Sequence, residues 1–477
     1  MADFWDFNVW GSLNVIGVLL VTLLLANGLK NSIGWLKKSL IPTSVLGGLM
    51  LLAVASIYKA ISGRVMFNEA FFGGNGMSFM EVVTYHALAL GFIASTLKSS
   101  EKKMTKKRSI EVFNTGVTTV ATYLLQAVLG LGITLLAALI LKDFFEAAGV
   151  LLPFGYGQGT GQALNYGGIY EKDHGFVGGR TFGLTIAALG FLSASIGGVI
   201  HLSILKRKGK VKLLEQKDEV ISGEQVQPKG EIPMNGGIDK LTVQLGFIIG
   251  TYILTFVVMY LLGLVLPGMK ATIFGFNFLI GVLLATLVKA VLKACRKVKI
   301  IKKQYMNNFL LDRISNFFFD LMVIAGIAAI RLDVMKDYWG VMAILAVVGL
   351  VSTYLYNYFI AKTFFGEYRE EQFLAMYGML TGTASTGIIL LRELDPEFKT
   401  PVADNLVYQN FPAIVFGFPL MLLATLAPKQ PLLTWGILLA FFIVMNVILF
   451  RAQIFRRKNR VQNKTEEVAE ATSETEE

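Results

Sequence analysis

Cysteine is nearly absent from this chain. Cys295 is the only one in 477 residues, which excludes an intramolecular disulfide and any cysteine-built metal site or cluster. Histidine is almost as scarce: His86, His174 and His201 lie far apart with no ligand spacing between them, so no histidine metal centre is expected. Charge is also short, at 16% of residues against 54% hydrophobic, and a water-soluble chain of this length would lack the polar residues to cover its surface. The first residues, Met-Ala-Asp-Phe-Trp-Asp, lack the basic start of a cleaved signal peptide, so the first apolar stretch reads as a permanent span.

What the chain has is long apolar runs. A bilayer core about 30 Å thick asks for about 20 apolar residues per helical crossing. Such runs fall at 9–28, 40–59, 80–97, 112–141 and 178–204 in the first half. The second half offers 241–266, 271–292, 308–331, 338–361, 404–427 and 431–450, giving an all-α integral membrane protein of about eleven transmembrane helices. The net charge of +11 does not point to nucleic acid, because Lys and Arg sit in short runs between the apolar segments, as topology signals do. Basic runs such as Lys102 to Arg108 and Lys206 to Lys212 follow odd-numbered spans, while loops after even-numbered spans are nearly neutral. That pattern places the N-terminus outside and the C-terminus in the cytoplasm of a plasma membrane.

Two stretches, 150–170 and 373–391, are apolar enough to enter the membrane yet are broken by Gly, Thr, Ser and amide residues. Polar backbone of that kind is costly in lipid, so both read as re-entrant hairpins lying inside protein or beside water. Tyr156-Gly157-Gln158-Gly159-Thr160-Gly161-Gln162-Ala163 aligns without gaps on Tyr377-Gly378-Met379-Leu380-Thr381-Gly382-Thr383-Ala384. The shift that superposes the two tyrosines also lays spans three to five on spans eight to ten. Each half then has five crossings, an odd number, so the second repeat is inverted. The organisation expected is a first repeat over 1–204, a cytoplasmic linker over 205–240, a second repeat over 241–427, an extra helix over 428–450 and a disordered tail over 451–477.

Paired broken segments in inverted repeats are a physical signature of secondary transporters, with the site where the broken elements meet. Close helix packing is the other use of small residues, and the pairing favours binding. Gly157 and Gly159 permit unwound backbone whose carbonyls can hold Na⁺. Gln158, Thr160, Gly161, Gln162 and Asn165 form one half of a solute site, and Thr381, Gly382, Thr383, Ser385 and Thr386 the other. These neutral groups suit a cation or a polar zwitterion alike. Asp320, midway along span eight with Asn316 one turn before it, is expected either to bind an ion or to be satisfied locally. Asn410, before Pro412, either loosens the start of span ten to expose a ligand or marks a simple kink. Arg180 and Arg392 follow the hairpins and either meet a second carboxylate or stand exposed in loops, the second being favoured; Glu81, at the outer end of span three, reads as interfacial. No cofactor is expected, and neither the dinucleotide fingerprint nor the phosphate loop fits the glycine spacing.

Three stretches give the chain a resemblance to the bacterial sodium/glutamate symporter family and, more distantly, to the sodium/citrate symporters. They are Lys37-Lys38-Ser39-Leu40-Ile41-Pro42 with Val45-Leu46-Gly47-Gly48-Leu49, then Gly155 to Ala163 with Tyr170-Glu171 and Gly175, and Gly183 to Gly198. The resemblance implies Na⁺-coupled symport of an acidic amino acid or small organic anion, an elevator-like motion and a homodimer. Where that family usually has a Gly-Gly-His-Gly-type core, this chain has Gly157-Gln158-Gly159-Thr160-Gly161, and its eleventh span exceeds the ten of the glutamate members. A Na⁺/H⁺ antiporter using Asp320, a channel and a membrane enzyme are the competing readings.

Overall fold

The computed structural model describes residues 3–98, 105–209, 226, 228, 231–234, 237–336, 338–396 and 399–473, with backbone alone for 271, 272, 411 and 455–473. Among these the protein is all-α; its only β pairing is an isolated bridge between Glu231 and Gln304. The first half supplies α1 (Phe7–Ser32), α2 (Thr43–Ser62), α3 (Gly76–Leu97), α4 (Lys106–Ile140), α5 (Leu151–His174) and α6 (Gly179–Arg207). The second supplies α7 (Lys240–Val265), α8 (Asn277–Lys297), α9 (Asn308–Ala328), α10 (Trp339–Phe364), α11 (Arg369–Thr381), α12 (Ala384–Arg392), α13 (Val402–Tyr408), α14 (Asn410–Leu426) and α15 (Pro431–Ser473). Short helices Gly34–Lys38 and Lys270–Gly275 lie in the connections.

Local chemistry sets where several helices start. Asp6, Thr105, Asp239 and Asn307 stand at the N-caps of α1, α4, α7 and α9, and each side chain accepts a hydrogen bond from a first-turn N–H. Length and apolarity then decide their surroundings. Nine helices among the described residues are long and apolar enough to cross a membrane, and a tenth is reached if the pair α13 and Pro412–Leu426, bent by 49°, is one span. Side chains such as Leu139 and Val265, 82% and 75% exposed, cover the outside. Such a surface is stable facing lipid rather than water.

Two expectations differ from what is observed. The run 308–331 does form a helix, α9, but Asp312, Arg313 and Asp320 make it too charged to count as an apolar span of its own. It is packed between α2 and α3 instead, which hides much of it. The final helix does not stop at 450 but runs to Ser473; Gln, Lys, Arg, Glu and Ala in the tail all favour helix. Most of the linker 205–240 and the last residues, 474–477, lie outside the described residues.

The two polar interruptions are folded back on themselves. Within α5, Gly159 adopts φ 78° and ψ −171°, a conformation essentially closed to residues with a Cβ, and the helix breaks there. Phe154 and Tyr166, on either side of the break, stack with ring centroids 4.0 Å apart, whereas twelve residues of straight helix would separate them by about 18 Å. The second interruption breaks at Gly382 and Thr383, and its arms α11 and α12 pack closely. They approach so nearly at Gly378 and Gly387 that a Cβ on Gly387 would fall 2.4 Å from the Ala375 carbonyl oxygen. α6 passes along both hairpins: Tyr156 bonds the Ser193 hydroxyl at 2.9 Å, and Tyr377 donates to the Ser193 carbonyl at 2.8 Å. These are the two tyrosines that the internal alignment superposes.

Candidate binding site between the hairpin tips

The tips of the two hairpins meet. A Cβ on Gly159 would lie 3.1 Å from the Thr383 methyl carbon and 3.8 Å from the Gly382 carbonyl oxygen. Beside this contact is a cavity of about 130 Å³. Gly157, Gln158 and Gln162 line it from the first hairpin and Thr383, Ala384 and Ser385 from the second. Between them α3, α4, α8, α9, α11 and α14 close the walls, mostly with apolar groups such as Phe92, Phe278 and Met322.

Helix α4 holds both tips. The last carbonyls of a helix have no partner inside it and must find one elsewhere when buried. The Tyr123 hydroxyl donates to the Gly157 carbonyl at 3.0 Å, and Gln126 donates through Nε2 to the Leu380 carbonyl at 2.9 Å. Each tip thus has its carbonyl end bound by a side chain from the same helix, one turn apart. The N-terminal ends have no comparable support. Thr383, at the N-cap of α12, makes no side-chain capping bond, its hydroxyl lying instead 3.4 Å from that of Thr386. The other outgoing arm starts after Gly159, which has no side chain to cap it. Two half-helix N-termini, each carrying the positive end of a dipole, are therefore set at the tips without a capping anion or hydroxyl.

Gln162 adds the most informative atom. The residue is 1% exposed, and its Nε2 has no hydrogen-bond partner, while its Oε1 receives only a 3.5 Å contact from Asn165. An unpaired buried amide hydrogen costs about 1–3 kcal/mol, so such a group lining a cavity implies a bound acceptor, from solute or water. No acidic or basic side chain lines the cavity. Among the described residues no cluster of three His, Cys, Asp or Glu could hold a metal ion.

Of the residues singled out in the sequence, Gly157, Gln158, Gln162, Thr383, Ser385 and Asn410 are brought to this cavity. Gly159 and Gly382 form the contact between tips beside it. The others are turned away. Thr160 donates to the Met322 carbonyl at 3.3 Å, Gly161 packs on Leu88, and Asn165 donates to the Gly275 carbonyl at 2.7 Å. Thr381 bonds back to the Tyr377 carbonyl at 2.6 Å, and Thr386 is buried behind the tip. Asp320 and Asn316 lie on another face of α9 from Met322 and are not among the residues lining the cavity. The helical repeat explains this, since two residues along a helix turn the side chain by about 200°. Asp320 is therefore not at the tips.

Sequence reasoning missed four polar lining residues on the spans: Ser95, Thr119, Tyr123 and Gln409. A signal existed in α4, where Thr115, Thr119, Tyr123 and Gln126 recur at helical spacing. No family model matches the chain. No curated protein matches it either. The likeness to the sodium/glutamate symporters thus rests on the motifs quoted above.

Near the start of α3, Glu81 accepts from both Arg180 and Arg331 at 3.3 Å, and the Arg180 N–H donates to Glu171 at 3.0 Å. Arg180 is held in an ion-pair cluster at the mouth of the first hairpin instead of standing free in a loop. At the base of the second hairpin, His201 of α6 sits between the Tyr354 hydroxyl at 2.8 Å and Glu370 of α11 at 2.9 Å.

Proposed function

We propose that this membrane protein is a secondary transporter that couples Na⁺ entry to uptake of a small organic anion, an acidic amino acid such as glutamate being the solute class that fits best. The observation that carries the reading is the meeting of two broken hairpins at a cavity into which an unpaired Gln162 amide and two uncapped half-helix N-termini are directed. Helix dipoles and neutral donors stabilise a carboxylate without a buried counter-charge, which a lipid-embedded site would find costly to keep unpaired in its empty state. Two N-termini suit a solute with two carboxylates. Unpaired acceptors at Gln126 Oε1, Asn357 Oδ1 and Asn405 Oδ1, all buried beside α4 and the second hairpin, offer neutral oxygens of the kind that replace the hydration shell of Na⁺.

In this reading the two halves are inverted repeats and the hairpins enter from opposite faces of a bacterial plasma membrane, with the N-terminus outside. One domain of each subunit of a homodimer would carry the site across in an elevator-like motion. A Na⁺/H⁺ antiporter is less well supported, because its proton carrier, Asp320, lies away from the cavity. The test is uptake of labelled glutamate and small di- and tricarboxylates into proteoliposomes. An inward Na⁺ gradient should drive accumulation, and replacing Na⁺ by choline should stop it. Uptake unchanged in choline, without a proton gradient, refutes the coupling.

A further inference from the structure

A second cavity of about 410 Å³ opens between the end of α3, the last turns of α8 and the segment 298–306 that follows. Lys289, Lys293, Arg296 and Lys303 line it, and among the described residues no carboxylate does. Lys289, Lys293 and Arg296 fall at i, i+4 and i+7, so they form one stripe of α8. The floor is apolar, made by Leu97, Leu292 and Met306 of a separate hydrophobic cluster.

Like charges set this close repel one another, and nearby acids would normally be recruited to offset them. Among the described residues, Asp312 is engaged with Lys98 at 2.6 Å, and the buried Glu231 with Lys240 at 2.7 Å. Among the described residues none of the four lining cations has a carboxylate partner. Lys289 is turned to the Thr96 and Lys98 carbonyls at 2.8 and 3.1 Å, and Arg296 donates to Gln304 at 3.0 Å, so both are positioned by neutral groups. A topology signal needs basic residues somewhere in the loop, and the helix dipole favours them in the last turn. Neither accounts for Lys289 two turns from the end of α8, or for Lys303 returning to the same cavity.

We propose that this cavity binds a phosphate group, supplied by the headgroup of an anionic phospholipid. Several cations converging on an apolar-floored cavity at the end of the spans match a phosphodiester carried on a hydrophobic molecule. A soluble phosphate would satisfy the same cations and is the alternative source.

Thermal unfolding of the purified full-length chain in a neutral detergent separates these sources, since a ligand that binds only the folded state raises the midpoint. Phosphatidylglycerol should raise it and phosphatidylcholine should not. Inorganic phosphate acting alone at millimolar concentration would keep the phosphate site and assign it a soluble source. The triple variant Lys293→Gln, Arg296→Gln, Lys303→Gln should lose at least half of the shift, whereas Lys299→Gln with Lys302→Gln, which lie outside the cavity, should keep it. Should the triple variant fail to fold, Lys303→Gln alone, on the exposed return segment, should show fewer retained phosphatidylglycerol molecules by native mass spectrometry. Equal shifts with the two lipids, no shift with any ligand, or full retention in the cavity variants would overturn the proposal.

Discussion

Replacing Gln162 by Leu should stabilise the empty protein and disable it. The Gln162 amide nitrogen is buried without a protein partner, and its oxygen has only the 3.5 Å contact from Asn165. Leucine fills a similar volume and removes the polar group, while Asn165 keeps its 2.7 Å bond to the Gly275 carbonyl. The desolvation penalty returned is about 1–3 kcal/mol, so thermal unfolding in detergent without solute should move to higher temperature. The same change removes a hydrogen bond to a charged ligand, worth about 1.5–3 kcal/mol, which weakens solute binding by about 10- to 200-fold. Two measurements on one variant therefore move in opposite directions. A variant less stable than the parent, with solute affinity intact, would show that Gln162 is a packing residue and that the cavity is not the solute site.

Gly159→Ala forces a side chain into φ 78°, ψ −171° and against Thr383, at a cost of about 1–3 kcal/mol; a lowered unfolding temperature with transport lost is expected, and normal uptake would remove the tip contact from the mechanism. Gln126→Leu leaves the Leu380 carbonyl buried without its donor, so both stability, by about 1–3 kcal/mol, and the Na⁺ dependence of uptake should fall, as read by uptake at graded Na⁺. Asp333, outside the spans, is held below the usual aspartate range chiefly by its hydrogen bond to Lys59, 2.8 Å away. A depressed carboxylate contributes stability above its unfolded pKa and loses it as pH falls through the folded one. Because the pair is about half exposed, Asp333→Asn should cost under about 1 kcal/mol at neutral pH, and the gap should close below about pH 4, as followed by thermal unfolding across pH.

The hairpins were legible because a glycine-rich polar stretch inside apolar sequence has few physical resolutions, and because Tyr156 and Tyr377 mark it twice. Which hydroxyls face the cavity was not legible. Thr160 and Thr381 differ from Ser385 only in their direction around an arm, and that direction depends on where Gly159 and Gly382 break the helix. Asp320 drew notice as a charge in an apolar run, yet hydropathy carries no angular information about which face of the helix a residue occupies. Tyr123 and Gln126 were passed over because α4 as a whole is apolar enough to read as an ordinary span.

Ser193 joins the two halves of the molecule more tightly than their separation along the chain suggests. Its hydroxyl is bonded to one hairpin and its carbonyl to the other, so a rotation or slide of α6 is felt at both tips at once. In the proposed transporter, a movement begun at one hairpin would in this way reach the other, with a single residue acting as the pivot between them.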